Sequence, residues 1–329
     1  YLQASDTLGM SNITVAVIGP EGYAGHLGKK GTTSDIAFYN QKKGEHTVTF
    51  VEPVRYPDRL ASLFFFVSMA HRALLVVDEI GPVFGECVVM LDCAGIGKGM
   101  LVLRNYITPE KVAPLIQGTV VEHYDLVPDE PVRIREYLIG EAETLQEKPV
   151  HGAKGAVPVD HAFPVKGTGV VVLGQVVSGT ISRHDTLRIF PTQKKAQVRS
   201  IQKHEDDAQS AGPGDRVGLA LKGIEVGDLD RGWVLSASES ITASATLSGR
   251  ATLVRFWPSP LRPGMVIHVG HWMQFLPARV AFVDNSGDWK RPLITLRTDK
   301  ELVYFPLDRV ILHYLDGGKL RVAGTLNLD

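Results

Sequence analysis

Over the first 140 residues, short apolar runs alternate with longer segments carrying helix signals. ITVAVIG at 13–19, TVTFVE at 47–52, ALLVVD at 73–78 and GMLVLR at 99–104 read as strands. Between them, TPEKVAPLIQG has a capping Thr108, Pro109 in the first turn, Glu110 at the positive end and a terminating Gly118. Alternation of this kind predicts an α/β domain with a mostly parallel, doubly wound sheet. From about Val157 the pattern becomes short strands with frequent glycine turns, as in TGVVVLGQVVSGTI, DTLRIFP and DRVGLALKG. A second set of the same texture, including ATLVRFW, MVIHVG and KLRVAGT, runs from Ala251 to the end. The expected architecture is α/β plus all-β: one doubly wound domain followed by two small closed β-barrels.

The boundaries follow from composition. Residues 1–9, ahead of Met10, read as an expression remnant, 10–140 as the α/β domain, and polar 141–156 as a linker. Barrels are expected at 157–240 and 241–329, with a junction near SASESITASAT. At 329 residues the chain is long enough for several cores, and a net charge of -1 excludes a global basic field. The longest apolar run, LFFFVSMA from Leu63, is too short to cross a bilayer; a cytoplasmic protein with neither membrane nor DNA as partner is expected. Cys87 and Cys93 lie in a helix-like apolar segment and read as reduced core thiols rather than metal ligands.

The order of domains resembles translation elongation factors of the Tu class. Three stretches sharpen this: DHAFPVKGTGVVVLGQVVSGTISRHDTLRIFP, VRSIQKHEDDAQSAGPGDRVGLALKGI and DLDRGWVL. They closely resemble the second domain of SelB, the factor that carries selenocysteinyl-tRNA, especially its archaeal form. The last barrel is similar too, in RPGMVIHVGHWMQFLPARVAFV. Fold, GTP with Mg²⁺ as cofactor, and aminoacyl-tRNA and the ribosome as partners are what this resemblance implies.

The boxes of such a GTPase are altered here. A P-loop reads G-x-x-x-x-G-K-[ST]; from Gly25 to Thr32 the length and ends agree, but Lys30 and Gly31 stand in reverse order. The strand ends at Gly19, a longer loop intervenes, and a helix is expected at about 33–40 to present free N–H groups to an anion. Gly28, Lys29, Lys30, Gly31, Thr32 and Thr33 are therefore the candidate phosphate-binding residues, with Thr32 offering its hydroxyl to Mg²⁺. The segment NQKKGEHT is too short for the effector loop. In TFVEPVRYPD, Glu52 stands for the Mg²⁺-linked aspartate of D-x-x-G, Arg55 for its glycine and Tyr56 for the following histidine; tyrosine is a poor base at neutral pH, so no catalytic residue is assigned. Asn105 and Tyr106 stand at the guanine box, where Thr108 replaces the carboxylate that selects the base. Loss of that carboxylate and of the lysine contact removes about 3–6 kcal/mol, leaving weak nucleotide binding and doubtful hydrolysis.

For tRNA the candidates are Arg183, His184, Lys194 and Lys195 in the middle barrel, and Arg255, Trp257 and Arg262 in the last. Lys and Arg pair with phosphates, and an aromatic ring stacks a terminal base. The resulting reading is a SelB-like paralogue that binds an aminoacyl-tRNA, in keeping with the carrier nominated for pyrrolysyl-tRNA in archaeal methane producers. Two alternatives stay open: an active GTPase rebuilt around Lys29, Lys30 and Glu52, and a regulatory or scaffold protein whose former tRNA surface meets another protein.

Overall fold

The computed structural model describes residues 12–44, 46–144, 154–203, 206–316, 318 and 320–329. The expected remnant at 1–9 and most of the 141–156 linker lie outside them.

The first domain is a seven-stranded sheet in the order β2-β3-β4-β1-β5-β6-β7. Its strands are β1 (Asn12–Ile18), β2 (Lys29–Thr33), β3 (Ile36–Lys43), β4 (His46–Pro53), β5 (Arg72–Val77), β6 (Gly99–Leu103) and β7 (Asp125–Leu126). From β4 to β7 the pairing is parallel; β2 and β3 are antiparallel additions at one edge. Four helices cover it: α1 (Leu60–Ser68), α2 (Pro82–Ala94), α3 (Pro109–Ile116) and α4 (Pro131–Thr144).

Side chains alternate across β1. Ala16 and Ile18 face a core shared with α1, α2 and α3, while Ile13, Val15 and Val17 face a second core under α4. Cys87 and Cys93 are buried thiols of α2, and burial pushes both up to about 12.

The helix expected at 33–40 does not form. Residues 29–43 make the β2–β3 hairpin instead, because Ile36 and Phe38 point into one core while Ala37 and Tyr39 point into the other. A strand buried on both faces is a continuous apolar run, which looks the same as a short helix in sequence.

The two barrels follow. β8 (Ala156–Val165), β9 (Gly169–Gln175), β10 (Ile181–Ser182), β11 (Thr186–Phe190), β12 (Lys194–Lys203), β13 (Asp206–Ala208), β14 (Ser210–Ala211), β15 (Arg216–Lys222) and β16 (Val234–Ser236) form the first. Its sheet closes into a ring of six strands, β11-β16-β8-β9-β15-β12, because β11 pairs with both β16 and β12; β13 adds outside the ring and β10 pairs separately with β14. Gly174 is required where β9 crosses β8, since a Cβ there would lie 2.4 Å from the Pro158 carbonyl oxygen. The second closed barrel contains β17 (Thr242–Leu253), β18 (Val266–His271), β19 (Gln274–Asp284), β20 (Leu293–Tyr304), β21 (Arg309–His313) and β22 (Val322–Leu328).

The α/β domain is wedged against both barrels. α1 is apolar nearly all round, and Phe64 meets Phe275 and His313 of the last barrel at ring separations of 5.7 and 5.3 Å. Glu86 of α2 receives Arg321 in a two-pronged pair, Nε to Oε1 at 2.9 Å and Nη2 to Oε2 at 2.6 Å, and Tyr56 adds its hydroxyl at 3.0 Å. Toward the first barrel, Asn12 donates to Asp215 at 2.8 Å.

Burial holds His313 down to about 3, with His268 beside it. A histidine depressed in the folded state takes up its proton first when unfolded, so its contribution to stability is complete above about pH 6.5 and is lost as pH falls below it. Each such histidine gives about 1.4 kcal/mol per pH unit between roughly pH 6 and 4, and His71, which burial also holds down to about 3, adds a second share. Urea titrations across that range check it, and His313→Phe should remove about half of the slope.

Candidate functional site

In an open α/β sheet ligands bind at the carboxyl ends of the parallel strands. Here that crevice is occupied by the chain itself. After β1 the segment from Gly19 forms a tight turn: Gly22 takes φ 82°, and residues Tyr23–His26 make one 3₁₀ turn. Tyr23, Ala24 and Leu27 are buried in the core under α4 with Val15, Val17 and Phe50. Their burial covers apolar surface beside α4, so no helix is needed there.

Glu52, at the end of β4, is 7 % exposed and turns into this loop. Its Oε1 accepts the Ala24 N–H at 2.5 Å, and the Gly22 N–H and Tyr39 hydroxyl also bond its carboxyl group. Burial pushes Glu52 up, and these three hydrogen bonds act in the opposite direction. Backbone N–H groups converging in a turn form an anion-binding nest, and an internal carboxyl group satisfies this one. Alongside, Tyr23 donates to Asp129 at 2.7 Å, and Arg104 links Asp129 at 3.0 Å to Asp78 at 3.2 Å. That chain of groups bridges the ends of β1, β5 and β6.

The residues expected to hold GTP and Mg²⁺ are not assembled around that nest. Lys29, Lys30, Gly31, Thr32 and Thr33 are exposed on the edge strand β2, while Gly28 sits against the backbone of Asn40. Thr32 is thus on the surface, whereas Glu52 is bonded inside the loop. Among the described residues no cluster of three His, Cys, Asp or Glu side chains suits a metal. Tyr56, in the histidine position, is engaged by Glu86 and by Cys87, and burial raises it well above the range of any base. Asn105 and Tyr106 form a left-handed turn with φ 51° and 59°; Asn105 donates to the Asp78 carbonyl and Tyr106 is 98 % exposed. Thr108 is the N-cap of α3. The residues present therefore do not fit a nucleoside triphosphate with Mg²⁺: the loop amides have a partner, the lysines are elsewhere, and no helix begins at the loop.

Of the proposed tRNA contacts, Arg183, His184, Lys194 and Lys195 are exposed on the first barrel, with Lys194 paired to Asp228. Arg255 and Arg262 are exposed on the last. Trp257 is not: it is 4 % exposed, packed edge-on against Tyr314 inside the barrel, so its faces are closed to a base. The exposed aromatic there is its neighbour Phe256, with the Arg255 guanidinium 5.5 Å from its ring centre.

Sequence reasoning missed the charged junction between the α/β domain and the first barrel. Asp160, buried at the bend of β8, accepts Arg216 at 2.9 Å, Arg231 at 3.3 Å and His161 at 3.0 Å. Burial opposes its ionisation, yet His161 and Arg216 hold it well below the usual carboxylate range. Arg231 also pairs with Asp35 at 2.6 Å and lies over Phe65, while Arg216 lies over Phe38. The signal was present in the DHAF, GDR and DLDRG stretches, but their convergence on one carboxylate depends on barrel closure.

A family model described as elongation factor Tu domain 2 matches residues 169–236. An uncharacterized protein of Methanocaldococcus jannaschii is 36% identical over 96% of this chain and 99% of its own length. The selenocysteine-specific elongation factor of the same organism is 25% identical over 81% of this chain. Solved SelB of Methanococcus maripaludis, in complex with the GTP analogue GPPNHP, superposes with a TM-score of 0.81 over 98% of this chain and 80% of its own, at 20% identity. The chain belongs to one family with that uncharacterized protein of M. jannaschii, and it is similar to SelB and to other factors of the elongation factor Tu class. This SelB-like chain spans 61% of the selenocysteine-specific factor of M. jannaschii. Its three-part architecture, an α/β domain followed by two barrels, is that of the solved SelB structures.

Proposed function

We propose that this SelB-like chain is a cytoplasmic translation factor that binds an aminoacyl-tRNA, of a special type such as pyrrolysyl-tRNA, without using GTP as its switch. The single observation behind this reading is the loop of Gly22 and Ala24, whose amides are satisfied by Glu52 while both barrels keep the family's form. A nucleotide would have to displace a buried carboxyl group and rebuild three hydrogen bonds, a cost of several kcal/mol before any phosphate contact forms. The rebuilt-GTPase alternative loses its support, since Lys29 and Lys30 lie outside the nest and Glu52 is committed to it.

The junction of Asp160, Arg216 and His161 supports the tRNA reading. It stands between the first barrel and the α/β domain, and His161 and Phe163 reach the surface beside it. Filter binding of aminoacylated and uncharged tRNA without nucleotide tests the proposal. Binding that favours the aminoacylated form and falls with salt is expected; no binding even at low salt refutes it.

A further inference from the structure

The β2–β3 hairpin stands where a helix was expected, and its β3 strand is fixed to the first barrel along its length. Asp35, before β3, pairs with Arg231; Phe38 carries the Arg216 guanidinium at 3.8 Å; Lys42, near the end of β3, pairs with Asp206. β3 thus lies at the seam between the α/β domain and that barrel, and β2 is the outer strand beside it, with its other edge free. All five of its residues are exposed. A bulge between Lys30 and Thr33 interrupts the ladder to β3, leaving Gly31 and Thr32 without a register partner.

The charges around it are unevenly matched. Lys42 and Lys43 have carboxylate partners, Asp206 and Glu143, and Asp35 is taken by Arg231. Lys29 and Lys30 have none among the described residues. Beside them stand the Thr32 and Thr33 hydroxyls. Two uncompensated ammonium groups, two hydroxyls and an open strand edge, all exposed on the outer strand of a hairpin fixed to the first barrel, suit the phosphate oxygens of a nucleic acid backbone.

We infer that the β2 edge is an RNA-backbone surface, in which Lys29, Lys30, Thr32 and Thr33 hold phosphates of the tRNA's terminal stem. The inference rests on the tRNA reading above and makes that reading more specific. These residues were expected to meet the phosphates of a nucleotide; the fold turns them toward those of an RNA bound across the seam. Lysines at an open edge also discourage strand pairing between molecules, so the experiment must separate the two roles.

The test compares the full chain with Lys29→Ala plus Lys30→Ala in binding to aminoacylated tRNA at several salt concentrations, with light scattering and far-UV circular dichroism on both. Loss of two phosphate contacts should weaken binding by about 10-fold or more at low salt and lower the slope of log affinity against log salt by roughly 1–2. Thr32→Val should weaken binding without altering that slope. If the double variant binds with unchanged affinity and slope but aggregates, the lysines guard the edge only and the inference falls while the tRNA reading stands. If the unaltered chain binds no tRNA, both fall.

Discussion

Glu86→Ala is expected to destabilise the chain by about 3–5 kcal/mol, the usual cost of leaving one partner of a buried ion pair alone. Glu86 is 4 % exposed and takes four hydrogen bonds, three from Arg321 counting its backbone N–H and one from Tyr56. Removal strands the Arg321 guanidinium at the contact between α2 and the last barrel. Glu86→Gln keeps the shape and should recover part of the loss. Urea unfolding followed by tryptophan fluorescence reads this out, because all four tryptophans, at 233, 257, 272 and 289, lie in the barrels, whereas circular dichroism at 222 nm follows the helices. In the variant the two probes should separate into distinct transitions, since the pair couples the α/β domain to the barrel.

Phe64→Ala should cost a similar amount, about 3–5 kcal/mol, by opening a cavity in the apolar half of the same contact. Phe64 is 2 % exposed, and at Gly270 a Cβ would approach its ring to 2.6 Å, so the backbone of β18 touches the aromatic face. Gly270→Ala is the complementary variant: it overfills the space Phe64 vacates least easily, and pairing it with Phe64→Leu should restore part of the stability. Additive losses in that cycle would contradict the packing described here. With Glu86–Arg321 beside this aromatic wedge, the α/β domain is held against the last barrel.

The barrels were legible because their constraints are local. Short alternating strands and glycine corners such as Gly174 force closure whatever the rest of the chain does. The α/β strands were legible for the same reason, with β1, β4, β5 and β6 each within a residue or two of expectation. The hairpin was not, because a strand buried on both faces loses its period of two. Glu52 was placed in a metal-binding role by its position in a motif, and nothing in the order of residues shows that its partners are the amides of Gly22 and Ala24, 28 residues earlier in the case of Ala24. Trp257 was misplaced because a tryptophan among arginines and prolines reads as surface, while the turn after β17 folds its ring back into the barrel. The junction at Asp160 joins β8, β15 and the β2–β3 turn, a convergence that spacing alone cannot express.

Glu52 fills the loop that would otherwise cradle phosphate. Calorimetric titration of the full chain with Mg²⁺ and GTP, and separately with GDP, tests this most directly. No saturable heat is expected up to about 1 mM nucleotide, a free energy weaker than about 4 kcal/mol. Saturable binding at micromolar concentrations, abolished by Lys29→Ala plus Lys30→Ala, would contradict it.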